Sequence, residues 1–311
     1  MIIENREYGQ LTNSDFFIGT IGYEPRSLQL LKKNRKSRNA DNTLLFCLDK
    51  KQYLEKYPSL SDELSKKGVI IIDYQYESGP QVAACILDLY DQLPPQSTLH
   101  IDYSSMPRGW YCRLPKELLK LDAVDKRVFF WYVPGKHIGE NFPTAGINRI
   151  FNEQGNADPA EKPRYHIMGL GYDKFRSEAV YSIIEPENLV ICYSFSTKHK
   201  EINSVVEEKN KRLFNNSVNV IDFPIDDFSG MVSILRGLVD SYLQYGQVII
   251  VPDGPKPLVL AMSMIPDIIG EKSAEQGLTC LYIERSSDCE FIEVEARPNE
   301  IFGFEIRNGE C

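Results

Sequence analysis

The chain has 311 residues, 42% of them hydrophobic and 25% charged, with a formal net charge of -9 and a pI near 5.2. These values suit a globular protein of about two domains, and they exclude one whose main surface grips a nucleic-acid backbone. Seven scattered cysteines and four dispersed histidines give no C-x-x-C pair and no zinc spacing, so buried reduced thiols are expected rather than a disulfide framework. The N-terminal residues carry no apolar leader, and no run reaches about 18 apolar residues, so a cytoplasmic protein without a membrane span is expected.

Taken in chain order, "FFIGTI" at 16–21 is a short apolar run that stops at a glycine. The runs 44–49, 69–74, 98–103 and 127–133 are also apolar or β-branched. Continuous apolarity, rather than alternation, predicts strands covered on both faces. Between them, 80–93 places Val82, Ile86, Leu89 and Leu93 on one helical face, with Pro80 suited to the first turn. The stretches 28–34, 52–67 and 110–121 are further helix candidates, and Pro115 should kink the last or mark its start. The basic run at 33–38, "KNRKSR", reads as a solvated helix end rather than a nucleic-acid patch.

The second half repeats this order. Gly22-Tyr23 aligns with Gly171-Tyr172 at an offset of 149 (171 minus 22), and the same offset superposes "IIDY" (71–74) on "VIDF" (220–223) and "LHID" (99–102) on "VIIV" (248–251). One inserted residue after Lys174 brings Arg26-Ser27 onto Arg176-Ser177. A register held through several elements indicates an internal duplication. Strands are expected at 165–169, 188–193, 217–222, 247–251 and 278–283, and helices near 175–184, 198–213, 228–244 and 257–269. Alternating strands and helices give a parallel sheet with right-handed crossovers. The expected fold class is therefore α/β, with two tandem doubly wound Rossmann-like domains of five strands each. Residues 1–142 form the first domain and 143–163, rich in proline, glycine and polar residues, form a linker. Residues 164–311 form the second domain, with "EFIEVEA" (290–296) and "IFGFEI" (301–306) as a β appendage to its sheet.

Ligands of open α/β sheets bind at the carboxyl ends of strands, where the strand order reverses. This directs attention to the loops after strands one and four of each half. After strand one, Gly22, Tyr23, Glu24 and Arg26 are echoed by Gly171, Tyr172, Asp173 and Arg176. Glycine permits a tight turn, arginine suits a two-pronged contact to phosphate or carboxylate, and tyrosine suits stacking on a base or packing against the opposite half. The acids suit ribose hydroxyls or hold the arginines; equally, these residues suit a helix entrance with an acidic cap. After strand four, Asp102, Ser104, Ser105 and Arg108 correspond to Asp253 and Lys256. Serines donate to phosphate oxygens and the cations neutralise them, although Pro, Gly, Asp and Ser are also ordinary turn residues. Neither glycine pattern is a full G-x-G-x-x-G fingerprint. The motif "YVPGKH" (132–137) reads as a turn after strand five.

Tandem Rossmann-like halves with polar loops after strands one and four resemble the nucleotide-sensing Rossmann-like domains of prokaryotic defence systems, including the CRISPR-associated CARF type. The resemblance implies a ligand sensor, with a nucleotide or other phosphorylated small molecule as its partner. The ligand would lie at the repeated loops or in one cleft between the halves. Two other expectations stand beside it. One is a nucleotide-processing hydrolase or phosphotransferase, with Asp102, Asp253 or Glu24 as general base or Mg²⁺ ligand. The other is a scaffold whose Tyr23 and Tyr172 anchor a protein partner or a second copy.

Overall fold

A computed structural model describes residues 1–9, 11–12, 15–22, 24–48, 51, 55–75, 78–121, 126–136, 146–154, 162–270, 277–285, 295–297 and 299–307. The chain forms two compact units: unit 1 comprises Met1–Gly139 and Ile292–Cys311, and unit 2 comprises Glu140–Phe291. Unit 2 is thus inserted into unit 1.

Unit 1 is built on strands β1 (Ile2–Arg6), β2 (Asp15–Ile21), β3 (Thr43–Cys47), β4 (Ile70–Asp73), β5 (Thr98–Asp102) and β6 (Arg127–Tyr132). Its helices are α1 (Gln29–Asn34), α2 (Pro58–Lys66), α3 (Gly79–Gln92), α4 (Arg108–Tyr111) and α5 (Leu114–Lys120). Unit 2 contributes β8 (Ile147–Gln154), β9 (Arg164–Leu170), β10 (Asn188–Phe195), β11 (Asn219–Pro224), β12 (Gln247–Val251) and β13 (Leu278–Arg285). Its helices are α6 (Lys174–Ile184), α7 (Lys200–Lys209), α8 (Lys211–Asn216), α9 (Phe228–Leu243) and α10 (Lys256–Ile269). The chain then returns to unit 1 as β15 (Phe302–Arg307), and a short pair joins β7 (Gly135–Lys136) to β14 (Glu295–Ala296).

The two sheets carry the same plan. Five parallel strands run β4-β3-β2-β5-β6 in unit 1 and β11-β10-β9-β12-β13 in unit 2. The first, third and fourth strands of the two copies start 149 residues apart, as do α3 and α9. This is the doubly wound fold of the expectation, with one strand order in both copies. Strand parity explains the two covered faces. In unit 2, Met168, Leu170, Ile191, Ile249 and Val251 pack with Val180 of α6, Val206 of α7 and Leu213 of α8. Their neighbours Ile167, Val190, Val248 and Ile250 are buried on the other face. In unit 1, Phe17, Ile21, Leu45 and Trp131 pack with Leu30 and Leu31 of α1 and Leu64 of α2.

The expected boundaries need two corrections. Residues 147–154 are a strand rather than linker: β8 pairs antiparallel with β13 and widens the second sheet. The last strand does not extend that sheet. β15 lies in unit 1, antiparallel to both β6 and β1. An apolar run announces a strand but not which edge completes it, because sheet pairing is non-local.

Local punctuation follows the sequence more closely. Pro115 occupies the first turn of α5 and marks its start. The expected 198–213 helix is broken at Asn210 into α7 and α8. Of the 52–67 helix, 52–54 lie outside the described residues and the rest is helical from Pro58. The basic run is not wholly solvated. Arg38 is buried and donates to the carbonyls of Asp15 (2.7 Å) and Thr12, fastening the loop before β2.

Candidate functional site

In each sheet the strand order reverses between the first and fourth strands of the repeat, β2 and β5 in unit 1 and β9 and β12 in unit 2. The loops leaving these strands at their carboxyl ends are the repeated loops of the sequence, so both copies bring their unusual residues to a topological switch point.

In unit 1, β2 ends at Ile21 and the chain turns at Gly22 into a short 3-10 segment, Pro25–Leu28. The Gly22 N–H donates to Ser27 Oγ at 3.3 Å. A side chain at Gly22 would meet Ser105 Cβ at 3.3 Å, so glycine admits the loop after β5. Arg26 Nε donates to Glu24 Oε2 at 2.6 Å, and Arg26 Nη1 donates to the Tyr132 hydroxyl at 3.2 Å. Burial alone would lower the Arg26 pKa, but the Glu24 carboxylate, together with Tyr132, outweighs it and holds the guanidinium firmly charged. A long bond spans the two loops: Ser105 Oγ donates to Glu24 Oε2 at 3.4 Å. Asp102 turns back on its own loop, where Oδ1 accepts from the Ser104 N–H (3.0 Å) and Ser104 Oγ (2.5 Å). Ser104 Oγ in turn accepts from the Val133 N–H at 2.8 Å. Arg108 is buried as the first residue of α4, after Pro107. Tyr23 lies outside the described residues.

Unit 2 uses the equivalent positions differently. Gly171 faces Gly254, the counterpart of Ser105 at the same offset. A Cβ on Gly171 would come within 2.9 Å of the Gly254 Cα, and Gly254 has φ +96. Asp253, the counterpart of Ser104, forms an ion pair with Arg176 (Nη2 to Oδ1, 3.2 Å) with the side chains only 6% and 1% exposed. Asp173 caps α6 by accepting from the Arg176 N–H at 3.1 Å. Tyr172 is half-buried against the apolar cluster of its own unit. Lys256 opens α10 after Pro255 and is half-exposed.

The two arginines that look alike in sequence therefore differ in role. Arg26 pairs with a residue of its own loop, whereas Arg176 ties the first-strand loop to the fourth-strand loop. A charged link across the switch point, sealed from water, locks the unit 2 crevice. In unit 1 the equivalent arginine makes its ion pair within its own loop, and the Ser105–Glu24 bond between the loops is a weaker 3.4 Å hydroxyl contact.

Two residues of the site were given no partner by the sequence reading, although Tyr132 opens the "YVPGKH" stretch it took for a turn. Tyr132 reaches Arg26 from the end of β6. Asn210 Nδ2 donates to the Gly171 carbonyl at 2.9 Å and to the Val206 carbonyl at 2.9 Å. The signal for Asn210 was a buried-side amide inside an otherwise regular helical run. Of the "YVPGKH" turn, His137 lies outside the described residues. Among the described residues, no three His, Cys, Asp or Glu side chains gather into a metal site.

No protein-family model matches the chain, and no curated protein is detectably similar to it. Among solved structures, the cytoplasmic domain of a prokaryotic cation chloride cotransporter aligns over 86% of this chain and 95% of its own, at 11% identity and a TM-score of 0.25. At that score the likeness bears on neither fold nor function. Among the described residues, no helix is long and apolar enough to cross a membrane.

Proposed function

We propose that the chain binds a nucleotide or other phosphorylated small molecule at the switch point of unit 1. The observation that carries this reading is the asymmetry between the copies. Unit 2 fills its crevice with its own Arg176–Asp253 pair. In unit 1 Arg26 pairs instead with Glu24 of its own loop, and Ser104, at the position of Asp253, bonds Asp102 and the Val133 N–H. In this reading Ser105 donates to a phosphate oxygen, and Arg108 supplies the balancing charge. Arg26 is a positioning residue that fixes the Glu24 carboxylate, which accepts from a ligand hydroxyl. Unit 2 supports the fold without a ligand of its own. The resemblance to nucleotide-sensing tandem domains favours a sensor.

Isothermal titration with a panel of nucleoside mono-, di- and triphosphates, and with inorganic phosphate, tests the proposal. One ligand per chain is expected. Arg108→Ala should weaken it by about tenfold or more, the scale of one lost charge-assisted contact, while Lys256→Ala leaves it unchanged. Absence of binding across the panel, or loss only in Lys256→Ala, would overturn the assignment.

A further inference from the structure

The outer face of α6 carries exposed large apolar side chains on one helix. Phe175 and Ile183 are 73% and 61% exposed, among the most exposed large apolar side chains described. Phe175, Ala179 and Ile183 stand at i, i+4 and i+8, so they form one stripe about 12 Å long on a helix, with the half-buried Ala179 between the two exposed side chains. Ser182 lies beside it, also exposed. The inward residues Arg176, Ser177 and Val180 are buried, which fixes the stripe as the outward side.

The duplication sharpens this. With the one-residue insertion after Lys174, Ala179, Ser182 and Ile183 occupy the positions of Gln29, Lys32 and Lys33 in the first copy. There the lysines are exposed, as an ordinary solvated helix requires. Phe175 is the inserted residue itself. The second copy has thus exchanged a polar outer face for an apolar one and added an aromatic ring.

The charges at the helix ends say what covers it. Lys174 is the first residue of α6, directly after the Asp173 cap, and Glu185 is its C-cap, with no acid in the first turn and no base in the last. A cation at the N-terminus and an anion at the C-terminus both oppose the helix macrodipole. Both side chains are exposed, and among the described residues neither has a hydrogen-bond or ion-pair partner. Glu178, by contrast, is engaged by Arg212 at 2.9 Å. Charges that are wrong for their own helix are right for an antiparallel neighbour of the same sequence. Laid against a second α6 about a two-fold axis at Ala179, Phe175 of each copy meets Ile183 of the other. Lys174 then falls beside Glu185 of the second copy, at the negative end of that helix. The small Ala179 at the centre permits close approach of the two backbones.

The geometry points to α6 as a homodimer interface, in which two copies of this chain pair antiparallel through Phe175, Ala179 and Ile183, with Lys174 and Glu185 fixing the direction. This is independent of the ligand reading for unit 1.

Sedimentation velocity of the full chain over a concentration series tests it. A monomer–dimer equilibrium is expected. Ile183→Lys and Phe175→Asp should each raise the dimer dissociation constant by about tenfold or more, as for a central apolar anchor, with the circular dichroism melt unchanged because both sites are exposed. Lys174→Glu and Glu185→Lys should each weaken the dimer, and the two together should restore it, because the reversed pairs again face one another. Under mild oxidation, Ala179→Cys should cross-link to its own copy above the background of the seven native cysteines. A chain that stays monomeric, a dimer indifferent to Ile183→Lys, a double charge reversal weaker than either single one, or capture of the stripe by anionic phospholipid vesicles in place of self-association would each overturn the inference.

Discussion

Arg176 and Asp253 are the pair on which unit 2 turns. Both are sealed from water, so removing one side of the ion pair takes a counter-charge away from a buried charge. Asp253→Ala is expected to destabilise unit 2 by about 3–5 kcal/mol, and an apolar pair at both positions should recover much of it; urea unfolding of the variants measures both. His100 is a second buried group with a defined state. Its Nδ1 accepts from the Trp131 indole N–H at 2.9 Å, and the ring stacks on Phe129. Burial, with Arg38 and Arg127 adding to it against the opposing Asp15, lowers its pKa to about 4. Because the folded pKa lies below the unfolded value, the unfolded chain binds more protons between about pH 6.5 and 4, so stability falls as pH drops through that window. Thermal melts of unit 1 should show a loss on the order of 3 kcal/mol over that range. His100→Asn, which keeps an acceptor near Nδ1, should flatten the dependence. The role of such residues was only half legible in the sequence. Glu24 stands two positions from Arg26, and a local pair can be read from spacing. Asp253 reaches Arg176 only through the fold; the inserted residue moves Arg176 one place further from Asp173 than Arg26 is from Glu24, but does not say which partner it takes instead.

At the scale of elements, the ten repeated strands were readable because they are mostly continuous apolar runs and the offset of 149 holds through β2, β4 and β5 and their counterparts. Edges were not readable. β15 shows the reason: its residues fit either sheet, and its place is decided by partners far away. Glu305 is 2% exposed and receives Arg6 Nε (2.8 Å) from β1 and Arg127 Nε (2.8 Å) and Nη2 (3.1 Å), so a single carboxylate pins three strands. Burial would raise its pKa, but the two arginines more than offset this and hold it below the ordinary glutamate value. Gly303 sits opposite Trp131 in the register, and a Cβ there would lie 2.1 Å from the indole ring. Gly303→Ala should therefore cost about 1–3 kcal/mol through overpacking and loosen β15 first. Amide exchange along β15 and β1 reads this, and protection equal to the parent chain would refute it.

At the scale of the whole molecule, unit 2 is a continuous segment and unit 1 is not. Residues 140–291 expressed alone should unfold cooperatively, because β8 through β13 complete their own sheet. Residues 1–139 alone should not reach a native-like state, since among the described strands β1 pairs only with β15, and β6 is left with an open edge. Calorimetry of the two fragments separates these outcomes. The returning strand also sets an order of events during synthesis. The segment made second is the first able to finish folding, while the earlier segment waits with an unpaired edge until residue 307 has left the ribosome. Supplying that strand late, or as a separate peptide, is then a means of switching unit 1 on after the rest of the chain is already in place.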